Sequence, residues 1–220
     1  MTAFCLKSGY GISYAEHMEQ TTRNIVLTGF RATGKTSVGR LLAAKLGYRF
    51  VDADQLLSER LGSTIAECVA RHGWERFRKA ERQLLAEAPA MRRTVLATGG
   101  GAIEHQPEWQ KLRDRCLVVW LDADIATIRQ RLGSDPQTAV QRPSLTGVAV
   151  EDELEQVLRR RLPLYAAGSD LRLETAGVAP EDLAERISNE IEKMEAERGV
   201  GQGGEDVTET TQQRRENGNG

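Results

Sequence analysis

Cysteine is scarce in this chain: Cys5, Cys68 and Cys116 are scattered, odd in number and without a C-x-x-C pair. That excludes a disulfide scaffold and points to a reducing cytoplasm. Long apolar runs are missing as well. The longest, CLVVWL from Cys116 to Leu121, is far short of the ~20 residues a membrane-spanning helix needs, so no membrane partner is expected. No charge of one sign dominates: 30 basic and 32 acidic residues are interspersed and the formal net charge is -2. Neither a nucleic-acid surface nor an anionic lipid leaflet is implied, which leaves a small-molecule partner as the expectation. His17, His72 and His105 lie far apart without metal-ligand spacing, and each is expected to be an ordinary surface or packing residue. The N-terminus also lacks the compact apolar stretch and small-residue cleavage site of a secretory signal.

What is present suits one well-buried α/β domain, expected at 24–195 in a chain of 220 residues. Residues 1–23 are polar and mixed with no sustained period, and are expected to form a disordered N-terminal extension. Met18, just before the first strand, is an alternative start that intact-mass detection of residues 1–17 would exclude. The stretch 196–220, rich in Gly, Gln, Thr and Asn from Gly199 on, cannot bury enough surface to offset its ordering entropy and is expected to be a disordered tail. Between these ends, short runs rich in Val, Leu and Ile predict strands at Asn24 to Thr28, Arg49 to Asp52, Thr94 to Thr98, Cys116 to Asp122 and Leu171 to Thr175. Helices are expected at Lys35 to Leu46, Gln55 to Leu61, Ser63 to His72, Trp74 to Ala88, Pro107 to Arg115, Asp124 to Leu132, Glu151 to Ala166 and Pro180 to Arg198. Strands buried on both faces and joined by helical crossovers imply a three-layer α/β/α sandwich around a five-stranded parallel sheet. Ligands then belong at the carboxyl ends of the strands.

The stretch GFRATGKT, Gly29 to Thr36, sits where such a sheet binds phosphate and satisfies G-x-x-x-x-G-K-[ST]. A buried strand precedes it, and a helix with Val38, Leu41, Leu42 and Leu46 on one face follows. Backbone N–H groups and the helix N-terminus bind the phosphates in this reading. Lys35 reaches the β- and γ-phosphates and Thr36 ligates magnesium through its hydroxyl. Gly29, Ala32, Thr33, Gly34, Lys35, Thr36 and Ser37 are the expected nucleotide-binding set.

Further motifs ask what receives the phosphate. FVDADQ places Asp52 and Asp54 at the end of the second strand, where i, i+2 alternation turns both carboxylates toward the mouth; a solvated strand end is the plain alternative. Arg78 and Glu81 are three apart on one helix face, as a positioned arginine or as a surface pair. Gly99, Gly100 and Gly101 follow a buried strand and leave a backbone that a small ligand can approach. The polar stretch from Gly133 to Val150 is too long for an ordinary connection and is a candidate mobile lid carrying Arg142. Arg159, Arg160 and Arg161 lead into Pro163 and Tyr165, where a kink near the sheet mouth could offer one arginine to an anion; a solvated helix face is the alternative.

Taken in order, G-x-x-x-x-G-K-T, D-x-D, F-R-x-x-E, G-G-G, a lid R-P and R-x-P-L-Y resemble the shikimate kinase family, over roughly Asn24 to Ile191. The resemblance implies a P-loop kinase fold with a mobile lid at about 133–150, and transfer of the γ-phosphate of ATP to the 3-hydroxyl of shikimate on the route to chorismate. It implies that Lys35, Asp54 and Arg142 are catalytic, Asp54 binding the ring hydroxyls and orienting or deprotonating the attacking one. Arg78 and Arg161 would hold the substrate carboxylate, Gly99, Gly100 and Gly101 would line its site, and Asp52 would assist a magnesium ion bound by Thr36. Pro180 and Arg131 would flank the adenine, in a cytoplasmic monomer. The chain departs from the family at Ala32, where Gly is usual, and at Thr33, where a small residue is usual; a positive φ at Ala32 would carry strain of order 1 kcal/mol. The stretch from Arg131 to Arg142 is also longer than common. A gluconate kinase and a non-catalytic ATP-binding regulatory module are the competing readings.

Overall fold

A computed structural model describes residues 23–134 and 150–202. Residues 1–22, 135–149 and 203–220 lie outside the described residues, and with them nearly all of the expected N-terminal extension, most of the lid expected at about 133–150 including Arg142, and most of the expected tail. Two compact units are distinguished. One, Arg23–Ile191, carries the sheet; the described part of the other is the Glu192–Gln202 end of the last helix.

Five parallel strands run in the order β2-β3-β1-β4-β5. β1 (Asn24–Thr28), β3 (Thr94–Ala97) and β4 (Cys116–Asp122) are buried throughout, as continuous aliphatic runs in a parallel sheet should be. Val26 of β1 lies opposite Leu96 on one side and Val118 on the other. Contrary to the expectation of strands buried on both faces, β2 (Arg49–Asp52) and β5 (Leu171–Glu174) are only partly covered. They are the sheet's outer strands, and in β5 Arg172 and Glu174 alternate outward from Leu171 and Leu173. Asn24 sets the sheet's starting edge: its buried amide donates to the Met91 carbonyl at 2.5 Å and its Oδ1 accepts from Thr94 N at 3.2 Å.

Helix α1 (Lys35–Leu46) stops at Gly47, whose φ of 64° puts it in the left-handed C-cap conformation. α2 (Ala53–Leu61) begins two residues earlier than the sequence suggested. Asp52 caps it, Oδ1 accepting from Asp54 N at 3.0 Å and Gln55 N at 3.3 Å. Asp54 is therefore in the first helical turn rather than on a strand end, and the alternation argument for it fails. The helices expected on either side of Gly73 form one run, α3 (Ile65–Glu87), broken where Gly73 adopts φ 76° and ψ 169°. Thr64 opens it with a capping box: its Oγ1 accepts from Glu67 N at 3.2 Å and its N–H donates to the Glu67 carboxylate at 2.9 Å.

α4 (Gln106–Arg113), α5 (Ile125–Ser134), α6 (Val150–Ala167) and α7 (Pro180–Gln202) complete the described helices. Pro163 lies inside α6 and does not end it. Two residues later Tyr165 is fully buried, its ring stacked on Trp120, and these contacts anchor the turns that follow the proline. One face of the sheet packs Val26, Leu96 and Val118 against a cluster that includes Phe77, Leu84, Trp109 and Tyr165. Cys68 and Cys116 are buried there as free thiols, and burial pushes Cys116 up to about 11. No helix among the described residues is long and apolar enough to cross a membrane.

Candidate active site

The loop between β1 and α1 is shaped by positions that reject a side chain. A Cβ at Gly29, φ 137°, would stand 2.2 Å from the Leu121 carbonyl oxygen. Gly34, φ 90°, is the N-cap of α1; no side chain caps the helix there and its first turn holds no acidic residue. The first N–H groups of α1 thus have no side-chain acceptor, which is the arrangement that binds an anion. Lys35 folds back over the loop, Nζ donating to the carbonyls of Gly29 at 3.0 Å and Phe30 at 2.7 Å. Thr33 is buried and donates to the Phe30 carbonyl at 2.8 Å. Ser37 is exposed in the first turn. Ala32 does adopt the left-handed conformation, with φ 61°, so the strain anticipated for a non-glycine residue is present.

Thr36 and Asp52 meet at the mouth: Thr36 Oγ1 donates to Asp52 Oδ2 at 2.8 Å, while the other Asp52 oxygen caps α2. Asp54 is partly buried in the first turn of that helix. On the far side of the loop, Arg131 on α5 donates to the Ala32 carbonyl at 3.2 Å and to Thr175, reaching its hydroxyl at 3.0 Å and its carbonyl at 2.6 Å. It joins the phosphate loop to the segment that follows β5, at whose end Pro180 opens α7.

The acceptor side converges on the glycine loop after β3. A Cβ at Gly101 would lie 2.6 Å from Arg78 Nη1 and 3.0 Å from Arg161 Nη2, so both guanidinium groups meet over this one backbone position. Arg78 comes from α3 and Arg161, 5% exposed, from α6. Each is held by a carboxylate. Arg78 Nη1 donates to Glu81 Oε2 at 2.5 Å, and His105 Nε2 lies 2.8 Å from the same oxygen. Arg161 Nη2 donates to Glu104 Oε2 at 3.0 Å, and Arg160 occupies the other Glu104 oxygen through Nε at 3.1 Å and Nη2 at 2.8 Å. Arg159, by contrast, is exposed and pairs with Glu155. Burial raises the Glu81 carboxyl, but the hydrogen bond from His105 and the adjacent Arg78 outweigh it and hold the group below the usual carboxylate range. Glu104 is likewise raised by burial and lowered further by Arg161 and Arg160. Tyr165 completes the recess, its hydroxyl donating to the Gly100 carbonyl at 2.6 Å.

Glu104 and His105 escaped the sequence reading. They lie 57 and 24 residues from the arginine and glutamate they touch, and no short-range pattern carries such a pairing. Arg142 lies outside the described residues. Gly99 accepts the backbone bond from Ala102 N that turns the loop.

A glycine-shaped phosphate loop at a helix N-terminus, facing an arginine-lined recess at the carboxyl edge of a parallel sheet, defines a P-loop kinase of small molecules. The family model described as "Shikimate kinase" matches residues 31–192. The chain belongs to the shikimate kinase family. It is 41% identical over 166 residues to "Shikimate kinase 2" of Yersinia enterocolitica, covering 76% of this chain and 94% of that protein. The structure "Shikimate kinase from Acinetobacter baumannii in complex with shikimate" superposes with a TM-score of 0.73 at 36% identity, over 79% of this chain and 95% of the other. A gluconokinase from Sinorhizobium meliloti, at TM-score 0.52 and 16% identity over 81% of this chain and 96% of its own, shares the fold alone.

Proposed function

We infer that the protein is a shikimate kinase, transferring the γ-phosphate of ATP to the 3-hydroxyl of shikimate to give shikimate 3-phosphate and ADP. One observation carries the reading: Arg78 and Arg161 converge over Gly101, while Gly100 of the same loop abuts the carbonyl of Gly29 in the phosphate loop. A carboxylated ring held by both guanidinium groups, each able to grip a carboxylate in bidentate fashion, is thereby placed next to the transferable phosphate. Neither competing reading needs this set. Gluconate does not call for the combined Asp54, Arg78, triple glycine and Arg161, and a nucleotide-binding regulator needs no acceptor recess.

In this mechanism the backbone N–H groups of the loop and the N-terminus of α1 bind the phosphates. Lys35 neutralises charge between the β- and γ-positions, and Arg142 adds positive charge from the lid. Asp54 orients the attacking hydroxyl and accepts its proton; the bond from the γ-phosphorus to the bridging oxygen breaks as the new phosphate ester forms. The hard oxygens of Thr36 and Asp52, already adjacent, are of the type that would hold a magnesium ion. When bound, the ion supplies charge neutralisation across the β- and γ-phosphates. Among the described residues no group of three or more His, Cys, Asp or Glu gathers as a metal cage, which such a shared site does not require. Arg131 and Pro180 flank the adenine in this reading, within a single domain at 24–195 that works as a cytoplasmic monomer.

The test is ADP release with ATP and magnesium, run with shikimate, with gluconate and without acceptor. Shikimate-dependent release is expected. Release with gluconate alone would move the protein to the neighbouring kinase class, and no release despite ATP binding would make it a regulatory module.

A further inference from the structure

The two arginines of the acceptor recess differ in origin, yet the groups that restrain them lead to one place in the chain. Glu104 and His105 are successive residues at the end of the 3-10 turn Ala102–Glu104, immediately after the glycine loop. Glu104 accepts from Arg161; His105 bonds the carboxylate of Glu81, which in turn accepts from Arg78. The turn itself is rigid. Glu104 N donates to the Gly101 carbonyl at 3.0 Å and His105 N to the Ala102 carbonyl at 3.1 Å, while Ala102 and Ile103 are buried beneath. Glu81 is 2% exposed and His105 9%, so their bond is shielded from competition with water. With Glu81 ionised and acting only as an acceptor, the His105 tautomer that fits carries its proton on Nε2.

Bringing two guanidinium groups to within 3.0 Å of the place a Gly101 Cβ would occupy sets like charges against each other. A carboxylate behind each offsets that repulsion. Because both tethers end on consecutive residues of the turn directly after the glycine loop, they also set where the two positive groups stand relative to the Gly101 backbone. We propose that Glu104 and His105 are positioning residues that fix Arg161 and Arg78 for one acceptor carboxylate. This rests on the shikimate kinase reading of the same site.

The experiment uses the full chain and reads kcat/KM for shikimate, KM for ATP and thermal unfolding. His105→Leu removes the donor to Glu81; it is expected to lower kcat/KM for shikimate roughly tenfold, the scale of a lost hydrogen bond to a charged group, with KM for ATP unchanged. His105→Gln keeps an N–H donor and should restore most of the loss. In the Arg78→Ala background, His105→Leu should have no further effect, since the group it positions is gone. Glu104→Ala, a partly exposed site, supplies the parallel cycle against Arg161→Ala and carries the test if His105→Leu does not fold. Additive losses in both cycles, or a His105→Gln protein as impaired as His105→Leu, would overturn the proposal. A wild-type protein that does not turn over shikimate would sink the functional reading itself, an outcome distinct from additivity in an active enzyme.

Discussion

The phosphate side of the site is made almost wholly of backbone, whereas the acceptor side is made of side chains drawn from α3, α6 and the turn after β3. On the first side, Gly29, Gly34 and the uncapped start of α1 create an anion site from consecutive residues, and side chains such as Thr33 and Lys35 brace it through local carbonyls. On the second, Arg78 and Arg161 converge over Gly101 from two different helices, Arg78 bonded to Glu81 and Arg161 to Glu104, while His105 bonds Glu81 and Tyr165 bonds the Gly100 carbonyl. A backbone site is specified by local conformation, so it tolerates changes in the sheet but not in its own glycines. A side-chain site is specified by long-range packing, and can be retuned one residue at a time. The first suits the nucleotide common to many kinases and the second the acceptor that distinguishes them.

Substitutions should separate the two sides in proportion to how each is built. In the proposed mechanism Lys35→Ala removes one of the two positive side chains that act on the transferring phosphate, and kcat should fall by about 10³-fold or more while KM for shikimate stays near its original value. A loss confined to KM would place Lys35 outside the chemistry. Arg161→Ala should do the reverse, raising KM for shikimate by about 10²-fold with KM for ATP unchanged; an equal rise for both substrates would break the division between the sides.

Acid should weaken the acceptor side through Glu81. Its carboxyl titrates below the unfolded value of about 4.3. Its contribution to stability is therefore present above that pH and lost as pH falls through the lower folded value. Urea unfolding followed from pH 6 to pH 3 should show a steeper loss for the wild type than for Glu81→Gln, and parallel curves would contradict this. The smallest effect is expected on the phosphate side: Ala32→Gly relieves about 1 kcal/mol of left-handed strain but adds freedom to the unfolded chain, leaving a gain of a degree or two in Tm. A marked loss of stability would show that the Ala32 methyl packs productively.

The same contrast explains what could be read from the chain. The limits of β1, β2 and β4 agree with the residues expected, because buried parallel strands are unbroken aliphatic runs and β2 ends at the aspartate that caps the next helix. GFRATGKT is legible because its function lies in adjacent backbone groups. Asp54 was assigned to the mouth by strand alternation, but Asp52 takes up the N–H groups of Asp54 and Gln55 and starts a helix two residues sooner than the apolar pattern does. Pro163 read as a kink inside a helix expected to run to Ala166, and the helix does continue past it to Ala167, with Tyr165 buried beyond the proline. His105 reads as an ordinary surface or packing residue because nothing near it in sequence reveals Glu81, which α3 delivers from an earlier part of the chain.

The contact between Gly100 and Gly29 has a consequence for rate rather than affinity. A Cβ at Gly100 would stand 3.3 Å from the Gly29 carbonyl oxygen and 3.4 Å from Arg31 N, and the Tyr165 hydroxyl donates to the carbonyl of the same glycine. The glycine loop after β3 and the phosphate loop thus approach each other main chain to main chain at this point. Phosphoryl transfer depends steeply on the separation of donor and acceptor, so one added methyl would act as a shim, leaving both substrates bound and the nucleophile a few tenths of an ångström out of reach.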